Sequence, residues 1–236
     1  EDAKTRKLLP MLAKVYKDHK KKVKFPCFVQ AKLDGLRSLY IVDGERLISR
    51  KAKTIVTMDH IISELKDLIN DKNVVLDGEL YVHNKGFQKI ISAVKRDEVS
   101  ADSHNIEYHI YDCIHLDKPK LPYTDRFSYI TSLLKNTNKL KLVPTFTCNS
   151  EEEIFTNHDK LLKLGYEGSI IRNLDGVYEI DKRSSNLLKL KDFKDEEYKI
   201  IGAEEDKNGH CVFTCEIRDV DNDVINTFKV KPEGTD

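Results

Sequence analysis

Six side chains spaced along the chain are of types that could do chemistry together: Lys32, Glu79, Tyr111, Glu167, Lys189 and Lys191. Lys32 stands in Ala31-Lys32-Leu33-Asp34-Gly35, between two strand-like runs, Phe25 to Ala31 and Leu36 to Val42. Asp-Gly turns the chain, so the sequence predicts a hairpin with the lysine at the lip of a sheet. A lysine amine is a nucleophile only when neutral, and with a pKa near ~10.4 only on the order of 0.1% is neutral at neutral pH. Cations such as Lys189 and Lys191 would favour the neutral form if close. A carboxylate such as Glu167 would oppose it unless it bound a metal ion. The same cations would offset charge building on a phosphate under attack. Glu79 and Glu167 offer oxygen ligands of the kind magnesium prefers, and the Tyr111 ring offers a base a stacking surface. Taken singly, each has a plainer explanation: a solvated turn lysine, turn carboxylates, a core tyrosine, two lysines on one face of a strand.

The elements that would position these groups can be read from periodicity and turn signals. Leu8, Leu9, Met11, Leu12, Val15 and Tyr16 suggest a short amphipathic helix. Asp43-Gly44 continues the hairpin into a further strand, and Met58 to Ile69 repeats at helical spacing. Asn73 to Val82 is strand-like, with Asp77-Gly78-Glu79 inside it. Phe87 to Val94 suits a short helix, Ile106 to Ile114 a strand and Arg126 to Leu134 a helix. Leu140 to Phe146 reads as one strand, placed at an edge by Pro144. Ser150 to Glu153 is a capping box opening a helix through Leu164. The segments 169–172 and 187–191 close this block as strands. After a charged hinge at 192–197, three strand-like runs follow, at 198–203, 211–218 and 224–230, joined by turns at 206–209 and 219–223.

Composition narrows the function classes. The 236 residues are 39% hydrophobic, enough for a packed core, and carry 40 basic and 40 acidic side chains. With zero net charge no whole-molecule field draws the chain to a polyanion, so any such binding must come from local patches. Lys20, Lys21 and Lys22 form one such patch, with a solvated turn as the plainer alternative. Five scattered cysteines and no signal peptide predict a reduced, intracellular, cytoplasmic protein. Cys211 and Cys215 lack a second ligand pair and read as buried thiols rather than zinc ligands. A P-loop motif and a membrane-spanning apolar run are both absent from the sequence.

The ordered set Lys32-Leu-Asp-Gly-Leu-Arg37, Ser49-Arg50, Asp77-Gly-Glu79-Leu, Tyr111-Asp112, Glu167-Gly168 and Leu188-Lys-Leu-Lys191 resembles the covalent nucleotidyltransferases. These are the ATP-dependent DNA ligases, RNA ligases and messenger-RNA capping enzymes. The stretch from Gly165 to Asn173, with Tyr178, Lys182-Arg-Ser184 and Asn186 to Lys191, is most similar to small viral and bacteriophage DNA ligases. The resemblance implies an α+β fold: an adenylation domain over 1–193, with antiparallel sheets, flanking helices and the nucleotide in a cleft, then the first part of an oligonucleotide-binding (OB) barrel over 194–236. That barrel would be truncated, with three of five strands, and the family's last basic motif is not found before Asp236.

The implied function is sealing of nicks in duplex DNA by a monomer that uses ATP and Mg²⁺. Lys32 would carry AMP, Arg37 and Glu79 would contact the ribose, Tyr111 would stack on the base, and Gln30 would contact adenine where many ligases have glutamate. Arg50 would meet the nucleotide or the nick phosphate, and Lys20, Lys21 and Lys22 the DNA. Glu167, with Glu79, would hold metal, while Lys189 and Lys191 would bind the α-phosphate. Alternatives are an RNA ligase, a GTP-using capping enzyme, or a nucleic-acid-binding module with impaired self-adenylylation.

Overall fold

The computed structural model describes residues 8–191, 198–218 and 224–232. The expected hinge at 192–197 and the turn at 219–223 lie outside these. The described residues fall into two compact units, divided between 191 and 192.

The first unit is α+β and is built on two sheets. A five-stranded sheet runs in the order β1 (Leu12–Val15), β11 (Arg183–Leu190), β10 (Gly168–Asn173), β2 (Cys27–Lys32), β9 (Thr145–Cys148). A six-stranded sheet runs β5 (Thr54–Ile55), β4 (Arg46–Ser49), β3 (Leu36–Ile41), β6 (Val74–Tyr81), β7 (Glu107–His115), β8 (Leu140–Leu142). Pairing is antiparallel except for β1 with β11 and β7 with β8. The helices are α1 (Tyr16–His19), α2 (Asp59–Leu68), α3 (Phe87–Val94), α4 (Tyr123–Leu133) and α5 (Glu151–Lys163). Ile61, Leu65, Ile90, Val94 and Ile130 of α2, α3 and α4 enter the main core. Alternate residues of β3 and its next residue separate into two clusters: Tyr40 and Val42, just past the strand, lie in the main core, Leu39 and Ile41 in a second one with Met11, Tyr178 and Leu187. The six-stranded sheet is therefore buried on both faces there, which explains the unbroken apolar runs Leu39-Tyr40-Ile41 of β3 and Val74-Val75-Leu76 of β6.

Three local expectations change. The segment around Lys32 is not a hairpin, because β2 pairs with β10 and β9 while β3 pairs with β4 and β6. The Asp34-Gly35 turn instead carries the chain from one sheet into the other. The apolar run at 8–16 is strand β1 followed by one helical turn rather than a helix. Its neighbour β11 supplies the missing hydrogen bonds, a tertiary override of periodicity. The run at 140–146 is two strands, split at Pro144 and placed at the edges of different sheets. Proline lacks the N–H a continuous ladder needs. The cap of α5 forms as read, with the Ser150 hydroxyl accepting from the Glu153 amide, although Glu153 itself accepts from Asn149 rather than from Ser150.

The second unit is a three-stranded antiparallel meander, β12 (Lys199–Glu205), β13 (Cys211–Arg218) and β14 (Val224–Val230). Cys215 is buried there, but Cys211 is exposed at the start of β13, contrary to the expected pair of buried thiols. Among the described residues no helix is long and apolar enough to cross a membrane.

A buried charge cluster joins β7, α4 and β10. Asp112, fully buried, accepts from Arg126 at 2.8 and 3.2 Å and from Arg172 at 2.7 Å. Removing one partner strands the others in a medium of low polarity, which costs far more than the intact cluster contributes. Asp112→Ala should lower unfolding free energy by about 3–5 kcal/mol, measured by urea denaturation. A loss under 1 kcal/mol would show that water satisfies both guanidinium groups.

Candidate active site

The five-stranded sheet contributes one wall of the site through its two-residue period. Register pairs Gln30 with Ile170 and Ile170 with Lys189; one step on, Lys32 pairs with Gly168. Residues in one row across a sheet point to the same face, so Gln30, Lys32, Ile170 and Lys189 share a side. Arg172, opposite Phe28, and Thr145, opposite Gln30, share it too.

The six-stranded sheet contributes the other wall. Arg37 lies opposite Glu79. Its guanidinium grips Asp77 with two bonds, 3.0 and 2.6 Å, and the Tyr178 hydroxyl donates to the same carboxylate at 2.6 Å. On β7 the register slips: Asp77 faces Asp112 and Gly78 faces Ile110, so Tyr111 is a bulged residue with no partner. The bulge re-aims its side chain into the site, a common use of this device. The Tyr111 hydroxyl donates to Glu79 at 3.2 Å, and the guanidinium groups of Arg37 and Arg172 stand 5.5 and 5.4 Å from its ring centre. Two glycines explain the Asp-Gly pairs. A Cβ on Gly35 would sit 2.5 Å from the Leu80 carbonyl oxygen, and one on Gly78 2.5 Å from that of His109. Both glycines therefore let backbones approach too closely for any other residue.

The two walls meet at Lys32. The Glu167 amide donates to the Lys32 carbonyl at 3.1 Å, and the Lys32 ammonium and the Lys191 ammonium bond to opposite oxygens of the Glu167 carboxylate. Burial alone would raise the Glu167 carboxyl, but hydrogen bonds from Lys191 and Lys32 outweigh it and hold the group below the usual range. Glu79 goes the other way. Burial pushes it up to about 7, against the pull of Arg37 and Lys32.

A cavity of about 260 Å³ opens between the walls. Of the residues singled out in the sequence, Gln30, Lys32, Arg37, Arg50, Glu79, Tyr111 and Lys189 line it. Glu167 joins the cluster through Lys32, and Lys191 joins it through Glu167. Lys20, Lys21 and Lys22 are not brought to this cavity; they form a 3₁₀ turn whose Lys20 pairs with Glu151 of α5. Sequence reasoning missed Arg172 and Arg183, which also line it, and the supporting Tyr123 and Tyr178. Arg172 had a signal. A charged residue directly after Ile170-Ile171, in phase with Gly168 and Ile170, must face something polar. An arginine lip, a lysine paired to a carboxylate and an aromatic ring in one cleft suit a nucleoside polyphosphate.

Residues 10–191 match the family described as ATP dependent DNA ligase domain. The chain is 32% identical over 192 residues to a DNA ligase of African swine fever virus, covering 77% of this chain and 45% of that protein. It is 26% identical over 244 residues to the DNA ligase of Enterobacteria phage T4, covering 81% and 50%. The chain thus spans about half the length of these curated relatives. Among solved structures, the Chlorella virus DNA ligase-adenylate aligns with a TM-score of 0.62 at 27% identity, over 94% of this chain and 84% of that one. By the family match, which takes in every residue of the cavity just described, the chain belongs to the ATP-dependent DNA ligases.

Proposed function

We propose that the protein seals nicks in duplex DNA through an AMP carried on Lys32. The observation that carries this is the Lys32 amine at the junction of two sheets, paired with Glu167 and opening on a cavity lined by Arg37, Glu79, Tyr111 and Lys189. In the first step the Lys32 Nζ forms a bond to the α-phosphorus of ATP, and the bond to pyrophosphate breaks. The AMP then passes to the 5′-phosphate of the nick, and the 3′-hydroxyl displaces it. Glu167 orients the amine and must release it before attack; Lys189 and Lys191 offset charge on the α-phosphate. Glu79, half-protonated near neutrality and bonded by Tyr111, suits a ribose hydroxyl better than a metal ion.

Glu167 fits a magnesium site, because Mg²⁺ is usually held by one or two carboxylates with substrate phosphates. Bound there, the ion would neutralise phosphate charge. Arg50, exposed on the cavity rim, is assigned to the nick phosphate, and the turn Lys20–Lys22 to the DNA backbone. The meander of the second unit is assigned to the start of an OB barrel.

Two outcomes test this. Lys32→Ala should reduce covalent label from α-labelled ATP to background while Lys22→Ala keeps it, and the parent should seal nicked DNA in preference to nicked RNA. Acid-stable label on Lys32→Ala would place the nucleophile elsewhere. The second is a pH dependence. The Glu79 carboxyl is raised from 4.5 to about 7, so its contribution is present below 4.5 and lost as pH climbs through 7. Without nucleotide, Glu79→Gln should melt with the parent at pH 5 and several degrees above it at pH 8.5, a gap of about 1–3 kcal/mol. A gap that does not change with pH would show that Glu79 is already ionised at pH 5.

A further inference from the structure

Gln30 is almost fully buried, lines the cavity and carries three directed hydrogen bonds. Its Nε2 donates to the Tyr123 hydroxyl at 2.8 Å and to the Thr145 hydroxyl at 3.0 Å, and its Oε1 accepts from the Arg172 Nε at 2.6 Å. An amide can ordinarily be turned over, exchanging oxygen for nitrogen. Here it cannot. The Tyr123 proton is committed to the Tyr111 carbonyl at 2.7 Å and the Thr145 proton to the Val143 carbonyl at 2.9 Å. Each hydroxyl has one proton to give, so both can only accept from Gln30. Arginine has no acceptor, so it can only donate. Turned over, the amide would set oxygen against two acceptors and nitrogen against a donor.

Both amide protons are therefore spent, and Arg172 takes one lone pair of the oxygen. What Gln30 retains for a ligand is a second lone pair, an acceptor with no donor beside it. Gln30 and Lys32 stand two residues apart on one face of β2, roughly 6.5 Å along the strand. With the phosphates at Lys32, the base falls toward Gln30 and the Tyr111 ring. The 6-amino group of adenine donates a hydrogen bond; the 6-oxo group of guanine or hypoxanthine brings a second acceptor against the first.

We propose that Tyr123 and Thr145 are positioning residues for base selection: by holding both protons of the Gln30 amide they make it an acceptor only, which admits a 6-aminopurine and refuses a 6-oxopurine. This rests on the nucleotide site proposed above. Deleting either hydroxyl returns an N–H to Gln30, and that N–H can serve a 6-oxo group. Glutamate at this position would have no polarity to fix; glutamine needs the lock.

The test compares ATP with inosine triphosphate in self-adenylylation and, separately, in calorimetric binding. The parent should favour ATP by about 10²-fold or more, since sites built around a hydrogen bond reject mismatched partners strongly. Gln30→Met sets the floor of that ratio. Thr145→Val, of equal size, should narrow it at least fivefold, chiefly by improving use of inosine triphosphate, and Thr145→Ser should restore it. Tyr123→Phe gives an independent second variant should Thr145→Val fold poorly. A purely structural role would weaken both nucleotides alike and leave the ratio unmoved, which overturns the lock. A parent that binds ATP over inosine triphosphate with this variant pattern, yet takes up no label, upholds the lock and overturns the ligase chemistry instead.

Discussion

The passage of the chain from one sheet to the other at Leu33-Asp34-Gly35 is the constraint on which the rest of the site depends. Lys32 ends a strand of the five-stranded sheet; Leu36 begins a strand of the six-stranded one. Gly35 lies against the Leu80 carbonyl with no room for a side chain, so the turn is pinned to β6. That contact sets Arg37 opposite Glu79, and the β2–β10 ladder sets Lys32 opposite Gly168. Both walls of the cavity thus follow from one turn of three residues. A side chain at 35 would shift Lys32 relative to Arg37 and Glu79 across the cavity.

Charge in this site is arranged rather than merely accumulated. Asp77 and Asp112, both fully buried, each hold one arginine that reaches the Tyr111 ring, Arg37 and Arg172. Without them, burial would leave guanidinium groups uncompensated, a costly state. Glu167 is kept ionised by two ammonium groups, whereas Glu79 is pushed toward the neutral form by its loss of water. Two carboxyl groups in one site are thereby driven in opposite directions by different causes, hydrogen bonding in one and desolvation in the other.

Much of this was legible before the fold was. Lys32 and Glu167 lie at a strand end and a turn, where residue type is restricted, and the meander at 199–230 followed from its spacing, whereas Glu79 and Tyr111 lie within β6 and β7 rather than at their ends. What could not be read was partnership. Asp34-Gly35 signals a turn, but nothing in it says that the next strand joins another sheet. Periodicity took the run at 8–16 for a helix because its bonding partner, β11, lies far along the chain. The bulge at Tyr111 is a matter of register between two strands, invisible from either alone. The bonding of Gln30 needed Tyr123, Thr145 and Arg172 from three other elements.

The strand order of the five-stranded sheet carries a consequence for synthesis on the ribosome. Lys32 and Glu167 are separated by 135 residues, and both neighbours of β2 come from the second half of the chain. A nascent chain exposes the apolar strand Cys27–Lys32 with neither edge paired until residues beyond 140 have emerged. Such an edge is a template for pairing with other chains, and pairing over long sequence separations is slow. Lys32 is therefore translated before its partners and assembled late, so a partly made chain exposes an aggregation-prone strand well before the cavity around Lys32 can form.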